Sequence, residues 1–276
     1  MVTINIRDQN FGGEPSSCHK GVNKYVTWEF NNVLVSNSCF ITDLCLPDVL
    51  KAKQIKRKIA WILEPRAIHP QVYSWIEQNN RLFDFVLTFD LDLVNRGENY
   101  LYYPHGRCWI NGETQGAYQK DKLCSIIASS KNSVTGHQLR HQVIQHFNHQ
   151  QLFDVFGYGY APIESKREAL DRYKFSITIE NSIQPGYWTE KVVDCFATQT
   201  IPIFWGDKSV NDHFNKDGII YFSDINELKV ILDNIHKNGD EIYNSKIAAI
   251  VENCNQVEKY RIPEDWIYLN YPFLFN

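Results

Sequence analysis

Apolar and polar positions alternate most sharply between residues 173 and 206, where Phe175, Ile177 and Ile179 take turns with Ser176 and Thr178. That is the period of a strand with at least one buried face. The run ends at Glu180 and Asn181, and Pro185-Gly186 forces a turn. Val192, Val193, Phe196 and Ala197 then recur at i, i+1, i+4 and i+5, the spacing of a helix with one apolar face. Thr200 closes that helix, and the run from Ile201 to Trp205 reads as a second buried strand. The product is a βαβ unit, whose parallel strands bring the turn and the helix N-terminus to the carboxyl edge of the sheet, where ligands of open α/β sheets bind. A diphosphate suits such a helix N-terminus. Lys191 in the first turn opposes the helix dipole, so its charge makes more sense facing an anionic ligand than as a source of stability.

The same patterning extends along the chain in two halves. In the first, residues 1–112, strands are expected at Thr3–Arg7, Asn32–Ser36, Lys58–Leu63, Phe83–Phe89 and Leu101–Tyr103, with helical stretches near 43–54 and 70–79. The second, residues 113–260, opens after a polar stretch starting at Ile110. Its strands at Leu123–Ala128, Phe153–Gly157, Phe175–Glu180, Ile201–Trp205 and Ile219–Tyr221 alternate with helical patterns, the signature of a parallel sheet. A helix is expected near 240–260, and the aromatic tail 261–276 is expected to pack on the first half.

Composition narrows the class of function. Of 276 residues 43% are hydrophobic and 14% aromatic, enough to fill one large core or two modest ones. The 28 basic and 32 acidic residues are well mixed and leave a net charge of −4, so no electrostatic footprint for nucleic acid or an anionic membrane is present. Seven cysteines without a CxxC pair suggest neither a zinc site nor a disulfide framework, and reduced buried thiols are expected. The N-terminus has no basic segment followed by an apolar run, and no window approaches the roughly eighteen apolar residues of a membrane span. A cytoplasmic or otherwise soluble protein without signal peptide or membrane anchor is the expectation.

Two candidate metal patterns are weak. Asp90-Leu91-Asp92 has the DxD form that holds a divalent cation in some sugar-transferring enzymes, but it falls in the first half and reads as a strand-end turn. His137 and His141 form an i, i+4 pair without a third ligand or an HExxH pattern, and read as a polar helix face.

The run FSITIENSIQPGYWTEK, Phe175 to Lys191, closely resembles the C-terminal motif of the α-1,3-fucosyltransferases, glycosyltransferase family 10. The likeness extends upstream to QLFDVFGYGY with Lys166, and to the strand, loop and arginine-bearing helix of CSIIASSKNSVTGHQLRHQVIQHF. In the first half IAWILEP, RLFDFVLTFD and LYYPHG resemble the family's buried strand with glutamate, Phe-Asp strand and Tyr-Tyr-Pro. The resemblance implies an α/β, GT-B-like fold of two Rossmann-like domains facing across a cleft. It implies an inverting transfer of fucose from GDP-fucose to a glycan acceptor, with an α-1,3 linkage, no obligatory cofactor and no required metal. On the acceptor side it assigns Glu64 as the general base. On the donor side it assigns Arg140 and Lys191 to the diphosphate, Glu190 to the ribose hydroxyls, Tyr187 to the nucleoside and Asn181 to phosphate or sugar. Lys166 is a further donor candidate, with His137 and Glu180 as subsidiary ones. One departure touches the acceptor side: Glu64 stands in Leu63-Glu64-Pro65, where the family has Gly-Glu-Asn or a similar polar turn. The same fold acting on another nucleotide sugar, or a catalytically silent glycan-binding protein, are the alternative readings.

Overall fold

The computed structural model describes residues 1–11, 14–18, 21–30, 36–110, 119–147 and 149–276, which fall into two compact units. The first comprises Met1–Arg107, Gln184–Tyr187 and Lys259–Asn276; the second comprises Cys108–Ile183 and Trp188–Glu258.

The first unit is built on six parallel strands, β1 (Val2–Arg7), β2 (Val26–Phe30), β3 (Ser38–Thr42), β4 (Arg57–Trp61), β5 (Phe85–Thr88) and β6 (Tyr100–Tyr102), in the order β2-β1-β3-β4-β5-β6. Neighbouring residues along a strand face opposite sides, so Phe40 joins one core with Trp28, Trp61 and Phe89, while Ile41 joins another with Ala60, Val86 and Ile76. Burial on both faces is what parallel strands require. Helix α1 (Pro70–Asn79) begins with a proline at its first position, where the missing N–H costs nothing, and α2 (Leu91–Val94) follows β5. The helical stretch expected near 43–54 is a 3₁₀ helix, Asp43–Lys51, with Pro47 inside it. Most of the strand expected at Asn32–Ser36 lies outside the described residues, as does most of the polar stretch after Ile110. Strands β2 and β3 are additions to the expected set: β3 carries Ser38 and Thr42, polar yet buried, whereas β2 alternates Val26, Trp28 and Phe30 with Thr27 and Glu29.

In the second unit β7 (Lys122–Ile127), α3 (Thr135–Phe147), β8 (Asp154–Phe156), α4 (Arg167–Leu170), β9 (Tyr173–Ile179), α5 (Glu190–Ala197), β10 (Ile201–Trp205) and β11 (Ile220–Tyr221) alternate as expected. The sheet is parallel in the order β11-β10-β9-β7-β8. The order reverses between β7 and β9, which makes their carboxyl ends the topological switch point. Helix α6 runs from Ile225 to Tyr260 and is broken at Asn238 (φ −129°, ψ 21°), so the helix expected near 240–260 is its second half.

The chain then returns to the first unit as α7 (Pro263–Asn270), where Tyr268 stacks on Tyr25 at 4.9 Å and the Tyr271 hydroxyl donates to the Tyr102 carbonyl at 2.8 Å. Two parallel Rossmann-like sheets in an α/β chain are the fold class the sequence implied. Among the described residues no helix is long and apolar enough to cross a membrane.

Candidate active site

A cavity of about 220 Å³ opens at the switch point of the second sheet. Its walls come from the ends of β7 and β9, from Gly157 and Tyr158 after β8, and from the first turn of α5. Arg140, Lys166 and Lys191 line it as cations, Glu190 and Asp194 as carboxylates. Four of the sequence-derived donor residues thus meet at one place; Asp194 is an addition.

The start of α5 is fixed by a buried carboxylate. Glu180, at the end of β9 and wholly buried, accepts the Thr189 N–H at 2.8 Å, the Thr189 hydroxyl at 2.9 Å and the Lys191 ammonium at 3.1 Å. Thr189 is the N-cap, its hydroxyl accepting the Lys191 N–H at 3.3 Å. Glu180 therefore offsets the unfavourable placement of Lys191 near the positive end of the helix dipole. Its side chain is not part of the cavity wall.

Glu190 stands between two lysines, 3.5 Å from Lys166 Nζ and 3.6 Å from Lys191 Nζ. Lys166 in turn donates to the fully buried Asp194 at 2.7 Å and lies 4.2 Å from the ring centre of Trp109, whose main-chain N–H also donates to Asp194 at 2.7 Å. Burial works against the Lys166 ammonium, but the charges of Asp194 and Glu190 outweigh it and hold its pKa above the ordinary lysine value. Asp194 escaped the sequence reading, although an acid four residues after Glu190, inside an otherwise apolar helix face, is the pattern of a buried partner.

Arg140 reaches the end of β9 from α3. Its Nε and Nη2 donate to the Ile179 carbonyl at 3.1 and 2.5 Å, and Nη2 to Asn181 Oδ1 at 3.0 Å. Asn181 thus braces Arg140 and does not itself line the cavity. The approach needs a glycine: a Cβ on Gly136 would stand 1.7 Å from the Glu180 carbonyl oxygen, while its N–H donates to the Asn181 carbonyl at 2.9 Å. His137 is buried beside these cations, and burial together with the Arg140, Lys131 and Lys191 charges lowers its pKa to about 4, so it is neutral near pH 7. Its Nδ1 lies 3.2 Å from the Ser133 hydroxyl, whereas His141 contacts the Tyr160 hydroxyl and the Lys131 carbonyl with its two nitrogens. No group of three His, Cys, Asp or Glu residues able to hold a metal ion occurs among the described residues, and all seven cysteines are buried.

Tyr187 is not brought to this cavity. It belongs to the first unit, where its ring is 1% exposed and packs against Phe89 at 5.3 Å and His105 at 5.6 Å. The turn before it needs Gly186, which has φ +87° and whose Cβ would meet the Phe89 carbonyl at 2.0 Å.

Glu64 lies at the carboxyl edge of the first sheet, three residues beyond the end of β4, and is half-buried. Beside it Asp43 is buried with a left-handed backbone (φ 30°), a conformation unfavourable for a residue with a Cβ. Burial raises the Asp43 pKa to about 7, aided by the Glu64 charge and opposed by N–H donors from Leu63 and Asn10. Asp90 caps α2 through the Leu93 N–H at 2.9 Å, and its other oxygen accepts Arg66 Nε at 2.7 Å and Gln184 Nε2 at 2.9 Å.

Residues 117–248 match the family described as glycosyltransferase family 10 (fucosyltransferase), C-terminal. Over 140 residues the chain is 31% identical to the alpha-(1,3)-fucosyltransferase FucT of Helicobacter pylori, an alignment covering 44% of this chain and 29% of that protein. The match therefore spans less than a third of that relative's length. A crystal structure of an alpha1,3-fucosyltransferase with GDP superposes with a TM-score of 0.62 at 17% identity, covering 100% of this chain and 90% of that one. A second, with GDP-fucose, gives a TM-score of 0.57 at 18% identity over 89% and 81% of the two chains. At these identities the structural likeness establishes the fold.

Proposed function

We propose, on the premise that the chain belongs to glycosyltransferase family 10 through residues 117–248, that it transfers fucose from GDP-fucose to a hydroxyl of a glycan acceptor. An α-1,3 linkage with inversion at the sugar carbon is the expected product. The observation that carries this reading is the cavity at the switch point of the second sheet, where Arg140, Lys166, Glu190 and Lys191 meet at the N-terminus of α5.

The chemistry follows from the charges. In a single displacement the acceptor oxygen bonds to the anomeric carbon as the bond from that carbon to the diphosphate oxygen breaks, and the electron pair leaves with GDP. Charge grows on the diphosphate, and Arg140, Lys191 and the α5 N–H groups are the donors that meet it; removing one such preorganised donor costs about 2.7–4 kcal/mol of barrier. Glu190, held between two ammonium groups, presents its carboxylate to the ribose hydroxyls. The acceptor hydroxyl gives its proton to Glu64 acting as general base, a role worth about 10²–10⁴ in rate. The cavity, at about 220 Å³, is smaller than the roughly 300–1,000 Å³ of a site enclosing a drug-sized ligand, so it takes the charged centre of the donor and not all of it.

The test is direct. Titration calorimetry with GDP, UDP and their sugars should give tight binding for the guanosine compounds only, and product mass with GDP-fucose and a glycan panel should rise by one deoxyhexose, with or without a chelator. A preference for UDP would replace the donor, and absence of nucleotide binding would remove the enzyme reading. Glu64→Gln should abolish nearly all transfer while leaving GDP binding intact; full activity in that variant would refute the base assignment.

A further inference from the structure

The main-chain N–H groups of Leu63, Glu64 and Arg66 and the carbonyls of Glu64 and Pro65 are each held by a side chain or by the turn itself. The N–H groups of Leu63 and Glu64 both point to the Asp43 carboxylate, Leu63 at 2.8 Å. The Glu64 carbonyl accepts the Tyr73 hydroxyl at 3.0 Å. The Arg66 N–H donates to Gln184 Oε1 at 2.9 Å, and Gln184 Nε2 donates to the Tyr73 hydroxyl at 3.3 Å and to Asp90 at 2.9 Å. Between them Pro65 has no N–H to satisfy, fixes its own φ and keeps Glu64 out of the helical region, while its carbonyl accepts Ile68 and His69 at 2.9 and 3.0 Å. Asp43, Tyr73 and Gln184 are 1%, 2% and 5% exposed.

Such a concentration of buried polar groups on four residues of loop is expensive unless the loop's position matters. Apolar residues at positions 43 and 184 would strand the Leu63, Glu64 and Arg66 N–H groups, so the loop holds this conformation only with these polar side chains in place.

We infer that Asp43, Tyr73 and Gln184 are positioning residues that fix the Glu64 carboxylate through its main chain. The inference rests on the reading of Glu64 as the base. Tyr73 is the link between the two halves of the bracket, because its hydroxyl donates to Glu64 and accepts from Gln184. Gln184 is a residue of the donor motif by sequence and of the first unit by structure, so the same motif that supplies Glu190 and Lys191 also braces the base.

Tyr73→Phe removes one oxygen and no packing. It should lower kcat for fucosyl transfer by about ten- to hundredfold, the scale of a misplacement near 1 Å, with donor KM and GDP affinity unchanged. Gln184→Met, nearly the same shape without the hydrogen bonds, should reproduce the split and serves if the first variant is poorly folded. In a Glu64→Gln background either substitution should change residual kcat less than about twofold, because the group being positioned has lost its function. Wild-type kcat in both variants, or an equal loss in the Glu64→Gln background, would overturn the bracket. Full transfer by Glu64→Gln alone would instead sink the assignment of the base, so the two failures are told apart.

Discussion

Replacing Asp194 by asparagine tests the electrostatics of the cavity most severely. The carboxylate is wholly buried and 2.7 Å from Lys166 Nζ, and the lysine side chain is 18% exposed. Removing one partner of a buried pair strands the other, at a cost of about 3–5 kcal/mol. Lys166 keeps Glu190 at 3.5 Å and some water, which places the expected loss near the lower end, about 3 kcal/mol. For a unit of this size that lowers Tm by roughly 6–12 °C. Lys166→Met should destabilise comparably by leaving Asp194 unpaired. The two variants should part company in binding. Asparagine leaves all three cations on the cavity wall, so GDP affinity should not fall, whereas Lys166→Met removes one and should weaken GDP about tenfold. The double variant Lys166→Met/Asp194→Asn, uncharged at both positions and still able to accept the Trp109 N–H, should recover most of the lost stability and none of the lost affinity. Differential scanning calorimetry and GDP titration on the four proteins read both quantities. A loss below about 1 kcal/mol for Asp194→Asn, the scale of an exposed ion pair, would refute the reasoning, as would a double variant destabilised by the sum of the singles.

Two further outcomes follow from the geometry. Asp43, whose pKa rises from 3.8 in the unfolded chain to about 7 when folded, binds a proton more tightly in the native state. Its stabilising contribution is full below about pH 3.8 and lost once the pH passes about 7, so unfolding free energy should fall over that window by up to about 4 kcal/mol. Chemical denaturation against pH checks this, and Asp43→Asn should flatten the slope; an unchanged slope in that variant would mean another group titrates. Gly136→Ala drives a methyl group to 1.7 Å from the Glu180 carbonyl and must push α3 away from β9. A loss of about 1–3 kcal/mol in stability together with weaker GDP binding through Arg140 is expected, and wild-type values of both would show the approach to be looser than described.

The parts of the molecule legible in the sequence are those whose chemistry is local. Phe175, Ile177 and Ile179 announce β9 by their period, and Pro70 marks the start of α1. Arg140, Lys166, Glu190 and Lys191 meet because they sit at the carboxyl edge of one parallel sheet, which the βαβ order already dictates. What escaped depends on long-range burial. β3 hides behind Ser38 and Thr42, polar residues satisfied only by the tertiary structure. Asp194 is an acid in an apolar helix, meaningful only once Lys166, 28 residues earlier, is beside it. Tyr187 sits in a motif that reads as donor-binding throughout, yet its ring is in the core with Phe89 and His105; adjacency in sequence says nothing of which core a side chain enters.

The membership of Gln184–Tyr187 and Lys259–Asn276 in the first unit sets a limit on how this protein can be taken apart. A hybrid enzyme assembled by one crossover near residue 108 would receive its amino-terminal sheet from one parent, and the aromatic ring, the glycine turn and the closing helix of that same unit from the other. Four junctions, not one, separate the two units along the chain. An exchange of the whole first unit between relatives therefore has to carry the four-residue excursion and the terminal segment along with the amino-terminal half.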